Sequence, residues 1–399
     1  MKTEILSVIA LFLIIAMLIP MAGCSINTGI ADDSNEYTDS LPDDTDKPKG
    51  TEKKPAESEK KPSGTEPPPS LTKAYYNLCL DKKNFKYYGR MQFTVDGVTC
   101  DFTVSGIEFS GTMKGPVWLT LACSAPTYFT VYVDGVRSST RFYADQNIEK
   151  IKVADFSNEG IHTVRILKQS EAQRSIAELK DIEITGSLNA APANKTKYIQ
   201  VIGDSITCGY GNLTVNGTAD AGAAIYEDGT QAFPFMTAER LGADVSVIGC
   251  SGVGVDKGWT SFSEMEFYTR ACRYRSTTVE HDFTTDRTPD LVIINLGTND
   301  HAKGSTEDGF KTKAKELINF IRTKYGSDVP IIWTTNMMGN CCESWVKAVI
   351  SEMNGEANNL YTLQLNKDTG GGATHPTVSG HTTASEQLAL FISTKKLLG

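Results

Sequence analysis

Tyr198-Ile199-Gln200-Val201-Ile202-Gly203-Asp204-Ser205-Ile206-Thr207 is an apolar, strand-like run that stops abruptly at Gly-Asp-Ser. A strand that ends on a glycine and turns at once lifts the next serine hydroxyl out of the end of a sheet. The pattern downstream repeats this opening. Strand-like runs at 244–248, 290–296, 330–335 and 360–365 alternate with helix-like segments at 231–241, 263–273, 307–325, 343–354 and 379–398. In the longest of these, Phe310, Ala314, Leu317, Ile318 and Ile321 recur at helical spacing. Strands alternating with helices predict a parallel sheet covered on both faces over residues 197–399. Ligands in such sheets bind beyond the carboxyl ends of the strands. Ser205 and Asn299 each follow such an end, and Gly252 lies just beyond one.

Upstream, residues 73–186 read differently. Val117-Trp118-Leu119-Thr120-Leu121 and Tyr128-Phe129-Thr130-Val131-Tyr132-Val133 are strand candidates, the second closed by the Asp134-Gly135 turn. Further candidates lie at 148–153, 162–167 and 176–184. Short strands with turn signals and little helical periodicity predict a jelly-roll-like β-sandwich. Residues 25–72 are a linker dense in Pro, Lys, Glu, Asp, Thr and Ser, too poor in apolar side chains to offset the entropy of ordering. Residues 1–24 read as an export signal: Lys2, an apolar stretch, then Met21-Ala22-Gly23-Cys24. Small residues before a cysteine resemble a bacterial lipoprotein signal, with Cys24 lipidated and becoming the mature N-terminus. An uncleaved membrane anchor is the competing reading. Both place the remainder outside the cytoplasm, at the cell surface, lipid-anchored or secreted.

The formal net charge is −9 with no long basic run, which argues against nucleic acid as a partner. Eight cysteines follow Cys24 without a Cys-x-x-Cys pattern; they read as mostly buried thiols with room for one or two disulfides in an exported chain.

Four segments carry chemistry. Ser205 needs a base to act as a nucleophile. The Gly-x-Ser-x-Gly elbow is absent, since Thr207 stands where its second glycine belongs, and Gly209-x-Gly211 lacks the third glycine of a dinucleotide loop. In Gly249-Cys250-Ser251-Gly252-Val253-Gly254, Gly252 lets the backbone approach a substrate and present its N–H to an oxyanion. In Asn295-Leu296-Gly297-Thr298-Asn299-Asp300, Asn299 offers a side-chain donor, and Asp300 is better suited to holding the loop. In Thr374-His375-Pro376-Thr377, the proline biases His375 away from helix, onto a loop. His301, beside Asp300, competes with His375 as base, and His381 reads as structural. Taken singly, each segment also has a bland reading as a turn, a cap or a glycine-rich loop.

These four segments in this order resemble the SGNH (GDSL-like) hydrolase superfamily over roughly residues 198–399. Ser205, Gly252, Asn299 and His375 match its four signature positions. With a β-sandwich ahead, and with Gly-Asp-Ser-Ile-Thr-Cys-Gly-Tyr-Gly-Asn at 203–212, the chain is similar to carbohydrate esterase family 2. The resemblance implies a flavodoxin-like sheet and a serine esterase that deacetylates plant polysaccharides such as acetylated xylan or glucomannan. It implies Ser205 as nucleophile, His375 as base, an oxyanion hole from Ser205, Gly252 and Asn299, and no metal or organic cofactor. One departure stands out. The superfamily usually has an aspartate three residues before the histidine, where this chain has Gly372; two before stands Ala373. The nearest upstream acid is Asp368, across Gly370-Gly371-Gly372, read as a flexible segment. A Ser205–His375 dyad is expected, with Nδ1–H held by a backbone carbonyl; a folded-back Asp368 is the alternative. Trp345 is the favoured sugar platform, with Trp259 as its rival. Other readings stay open: a lipid or thioester hydrolase, an acyltransferase, or a non-catalytic carbohydrate-binding surface protein.

Overall fold

The structure, a computed structural model, describes residues 71–339 and 341–399. The export signal, Cys24 and nearly all of the linker lie outside the described residues. The described residues fall in one compact unit.

Five parallel strands form the carboxyl-terminal sheet in the order Ala243–Gly249, Lys197–Gly203, Leu291–Asn295, Ile331–Thr335, Leu360–Gln364. By sequence this is 2-1-3-4-5, the flavodoxin-like order, whose direction reverses between the first and third strands. The period of two along each strand sorts its side chains to two faces. Ile199 and Val201 join Leu291 and Ile293 in a core with Phe233, Ala238, Ala384 and Leu388. The last four come from helices Phe233–Leu241 and Val378–Lys395. Ile202 joins Val292 and Ile294 on the other face, under Phe267, Phe310, Leu317 and Val346. These belong to helices Glu264–Thr269, Glu307–Tyr325 and Glu343–Glu352. Two buried faces explain why the central strands read as continuous apolar runs.

The amino-terminal half is a nine-stranded antiparallel sheet. Its backbone is two long strands, Gly106–Cys123 and Ile148–Lys168, paired along their length with register shifts between Met113 and Gly115 and between Val117 and Trp118. The strands expected at 148–153 and 162–167 are therefore one strand. Its middle is polar and exposed, which hid the continuity. Ile107, Phe109, Met113, Val117, Leu119 and Leu121 all point into one core with Phe129, Val164 and Ile182. Both ends of Gly106–Cys123 line the same core, so the sandwich layers are arms of a single bent sheet, and the shifts supply the bend.

The two sheets pack tightly. Tyr88, Val104, Tyr132 and Leu167 of the antiparallel half enter the same core as Phe235 and Val245, and Phe102 and Ala172 enter the opposite one. Lys86 and Asp244 form a buried ion pair at 2.7 Å, and the Arg275 Nη2 donates to Asp101 Oδ1 at 2.8 Å. None of the eight described cysteines is paired; all are free, and six are buried.

Candidate active site

Gly203 ends its strand where a Cβ would meet the Thr207 hydroxyl at 2.1 Å and the Asn295 carbonyl at 2.8 Å. Only glycine lets the chain turn there. Asp204 Oδ1 then accepts from the Ile206 N–H at 3.0 Å and starts the one-turn helix Ser205–Cys208. Ser205 is thereby set at the switch point of the sheet.

The two residues on which a nucleophilic mechanism depends are 170 positions apart in sequence, yet His375 Nε2 lies 2.8 Å from Ser205 Oγ. His375 Nδ1 faces two backbone carbonyls, Gly372 at 3.2 Å and Ala373 at 3.1 Å. Carbonyls only accept, so Nδ1 carries the proton and Nε2 presents its lone pair to the serine hydroxyl. The backbone is strained to do this. Ala373 and Thr374 both take left-handed conformations, at φ 50° and 61°. Each costs about 1–2 kcal/mol for a residue with a Cβ, and together they turn the carbonyls back toward the ring. Burial holds the imidazolium below its usual range, with the nearby Arg174 charge adding to the effect and the two carbonyls opposing it.

Gly252 lies in the loop beyond strand Ala243–Gly249, at φ +81°, where a Cβ would approach the Trp259 Cβ to 3.0 Å. The loop is pinned along its length. Ser251 N–H donates to Glu171 Oε2 at 2.6 Å, and Trp259 N–H to the Gly252 carbonyl at 2.7 Å. Asp300 accepts from the N–H groups of Val255, Asp256 and Lys257 at 2.7–3.0 Å, the loop-holding role its position suggested. Asn299 Nδ2 donates to the Val253 carbonyl at 2.9 Å and, more weakly, to Asp204 Oδ2 at 3.3 Å. Burial, more than any neighbour, raises the Asp204 carboxyl to about 7. Ser205, Gly252, Asn299 and His375 line one cavity of about 370 Å³.

Asp368 does not reach the imidazole. Its Oδ1 accepts from the Gly370 N–H at 2.8 Å and its Oδ2 from the Thr377 hydroxyl at 2.6 Å. It tethers the loop to the start of the last helix instead. The three glycines before His375 are pinned rather than loose: Gly372 N–H donates to the Gly211 carbonyl, and Asn216 N–H to that of Gly370. A Cβ on Gly372 would sit 2.7 Å from both Ala221 and Thr214, so the glycines serve close packing. Trp345, the expected platform, packs on Phe310 with ring centroids 5.7 Å apart and does not line the cavity. Its place on the helix face wins over its place after the loop. Trp259 is the tryptophan in the cavity, 67% exposed, with the Lys303 ammonium 4.0 Å from its ring centre. His301 is exposed on a short helix; His381 is fully buried and accepts from the Phe233 N–H at 3.2 Å.

Sequence reasoning missed a second set of residues. Tyr210 stacks on His375, ring centroids 4.3 Å apart. The Arg174 guanidinium lies over the same Tyr210 ring, 5.1 Å from its centre. It is held by Glu171 at 3.4 Å and Glu227 at 3.5 Å, both fully buried. Burial, then the neighbouring Glu171 carboxylate, pushes Glu227 up to about 8. Glu171 and Arg174 come from the loop between strands Ile148–Lys168 and Ala177–Leu188, so the antiparallel half reaches the site directly. In sequence they are a polar stretch between two strands and look like any turn.

Residues 201–382 match the model of the GDSL-like Lipase/Acylhydrolase family, and residues 87–193 match that of the Carbohydrate esterase 2 N-terminal domain. The Ser205–His375 pair at the switch point of the 2-1-3-4-5 sheet lies within the stretch that resembles a GDSL-like hydrolase. With the domain that precedes it, the chain is similar to the family 2 carbohydrate esterases. Cellulase/esterase CelE of Acetivibrio thermocellus is 27% identical over 336 residues, covering 79% of this chain and 40% of CelE. An acetylxylan esterase / glucomannan deacetylase of Cellvibrio japonicus is 24% identical over 238 residues, covering 58% of this chain and 63% of that protein. The chain thus spans less than two thirds of either relative. A solved family two carbohydrate esterase from Clostridium thermocellum, in complex with cellohexaose, shares the fold with a TM-score of 0.70 and 27% identity, covering 78% of this chain and 99% of that one.

Proposed function

We propose that this chain is a carboxylic ester hydrolase that removes O-acetyl groups from plant polysaccharides of the xylan or glucomannan type through a Ser205–His375 dyad. The observation that carries the reading is the 2.8 Å contact between His375 Nε2 and Ser205 Oγ, with Nδ1 committed to carbonyls. His375 takes the serine proton as Oγ attacks the acetyl carbonyl. The N–H groups of Ser205 and Gly252 and the Asn299 amide hold the oxyanion; the 3.3 Å contact from Asn299 to Asp204 is the one that yields as charge develops. The sugar oxygen leaves with the proton from His375. Water, deprotonated by the same ring, then releases acetate. The carbonyls fix the tautomer as an aspartate would, without its charge.

The substrate class is supported by the names of the relatives. Trp259, beside Gly252 and open to solvent, is the proposed platform for the sugar that carries the acetyl group. The Met-Ala-Gly-Cys segment ending at Cys24 supports a lipid-anchored, cell-surface location, to be tested by labelled fatty acid incorporation that Cys24→Ala abolishes. For the activity, Ser205→Ala should lower acetate release from p-nitrophenyl acetate and acetylated xylan by at least about 10⁴-fold, with the melting temperature nearly unchanged. Turnover that survives the substitution would refute the assignment.

A further inference from the structure

The catalytic cavity is not the end of the groove that a polymer would need. Gln173 and Arg174 line it on the side of the antiparallel sheet, and the same two residues line a second cavity of about 580 Å³. A further link joins the two: Tyr210, which stacks on His375, brings its hydroxyl within 2.6 Å of where a Cβ on Gly222 would lie, and Gly222 lines the second cavity. Such a volume is in the range of small-ligand sites.

The lining of the second cavity has a particular chemistry. Tyr128 and Tyr143 face each other across paired strands, ring centroids 5.1 Å apart. Arg141 lies over Tyr128 at 4.3 Å and ties the strand pair to the parallel half by donating to the Ile225 carbonyl at 3.0 Å. Tyr143 is 43% exposed and Ile225 41% exposed. Gln173, Arg174 and Asp220 supply donors and acceptors among these apolar faces. A pyranose ring has the same two characters, an apolar C–H face and an equatorial belt of hydroxyls. Aromatic faces and an open, partly polar rim suit it better than they suit a lipid tail.

We propose that this cavity is a further subsite for the polysaccharide strand, adjoining the one that holds the acetylated sugar, with Tyr143 as its principal platform. The occupant is the continuation of the same strand whose ester sits at Ser205, because both cavities meet at Gln173 and Arg174. This inference rests on the polysaccharide esterase reading above. It makes the antiparallel half part of substrate selection: short acetylated sugars use only the catalytic cavity, and longer ones also use the tyrosines.

The test is kcat/KM of the full chain on a short and a long acetylated oligosaccharide of the same sugar. The long substrate should be preferred by the natural chain, and Tyr143→Ala should cut that preference by about three- to tenfold, the span expected for an aromatic contact. The ratio is insensitive to a general loss of folded enzyme. Ile225→Ala, at a residue that the parallel half contributes to the same cavity, should shift it in the same direction. An unchanged ratio in both variants overturns the subsite while leaving the esterase reading intact. Turnover of p-nitrophenyl acetate with no acetate released from any saccharide overturns the polysaccharide reading and the subsite with it. A dimer in solution that Tyr143→Ala dissolves would show that a second copy occupies the surface, and would also overturn the proposal.

Discussion

Glu171 should govern the reaction rate without touching the substrate. Its Oε2 accepts from the Ser251 N–H at 2.6 Å, one residue before the proposed oxyanion donor Gly252, and it is fully buried. Glu171→Ala leaves that N–H without its partner in a dry site and removes one of two carboxylates from Arg174. A hydrogen bond to a charged group contributes about 1.5–3 kcal/mol, and a buried orphan donor costs about 1–3 kcal/mol. Relief of the repulsion between Glu171 and Glu227 offsets part of this. A net loss of roughly 2 kcal/mol in stability follows, enough to lower the melting point but not to unfold a typical domain. The larger effect is on catalysis. Losing one oxyanion donor outright costs about 100- to 1000-fold; a donor that is loosened rather than removed should cost about 10- to 100-fold in kcat. KM for a small ester should hardly move. Glu171→Gln keeps an oxygen for Ser251 and should recover most of the rate. The assay is kcat and KM on p-nitrophenyl acetate at a temperature where circular dichroism shows each variant folded. A kcat near that of the natural chain in Glu171→Ala, alongside a lowered melting point, would reduce Glu171 to a structural residue and refute the reasoning.

Because burial lowers the His375 pKa, the neutral base persists on the acid side of a free imidazole. The acid limb of kcat/KM should therefore have its midpoint below pH 6.5, and a midpoint above it in the pH profile would contradict the environment described for the ring. Asp368→Ala should reduce thermal stability through the loss of its contacts with Gly370 and Thr377, yet leave kcat within a few fold; a loss comparable with His375→Ala would reveal a triad. His381, fully buried, has its pKa pushed down to about 3 by burial. The folded state thus refuses a proton that the unfolded chain accepts near pH 6.5, so stability is intact above that pH. It declines as the pH falls toward 3, by up to roughly 4 to 5 kcal/mol. Urea midpoints measured across this range would show it, and a ring titration near 6.5 in the folded protein would exclude it.

The parallel half was legible because its strands are buried on both faces and its helices carry apolar stripes. Residues 307–325 were bounded to the residue, and the five strands to within one or two. The meeting of Ser205 with His375, and the carbonyls rather than a carboxylate at Nδ1, were also readable, since glycines and a proline mark the turns that present them. What stayed hidden depends on tertiary neighbours. The strand Ile148–Lys168 was split in two because its middle faces solvent and loses alternation. Trp345 and Trp259 both follow loops, and only packing against Phe310 tells them apart. The glycines at 370–372 look like slack in a sequence and turn out to be clearance for Gly211, Ala221 and Thr214. Glu171 and Arg174 carry no local signature at all, because their meaning lies in which half of the molecule they touch; Tyr210 sits in the 203–212 motif, but only the fold shows it stacked on His375.

The shared cores between the two sheets have a consequence for protein engineering. Phe102, Tyr132 and Leu167 are interred in cores they share with side chains of the other half. Cutting the polypeptide at residues 189–196 would strip solvent protection from both pieces at once, leaving greasy, sticky fragments. Grafting this amino-terminal sheet onto a foreign catalyst, or swapping the catalyst beneath it, would require redesigning the seam rather than merely choosing a junction.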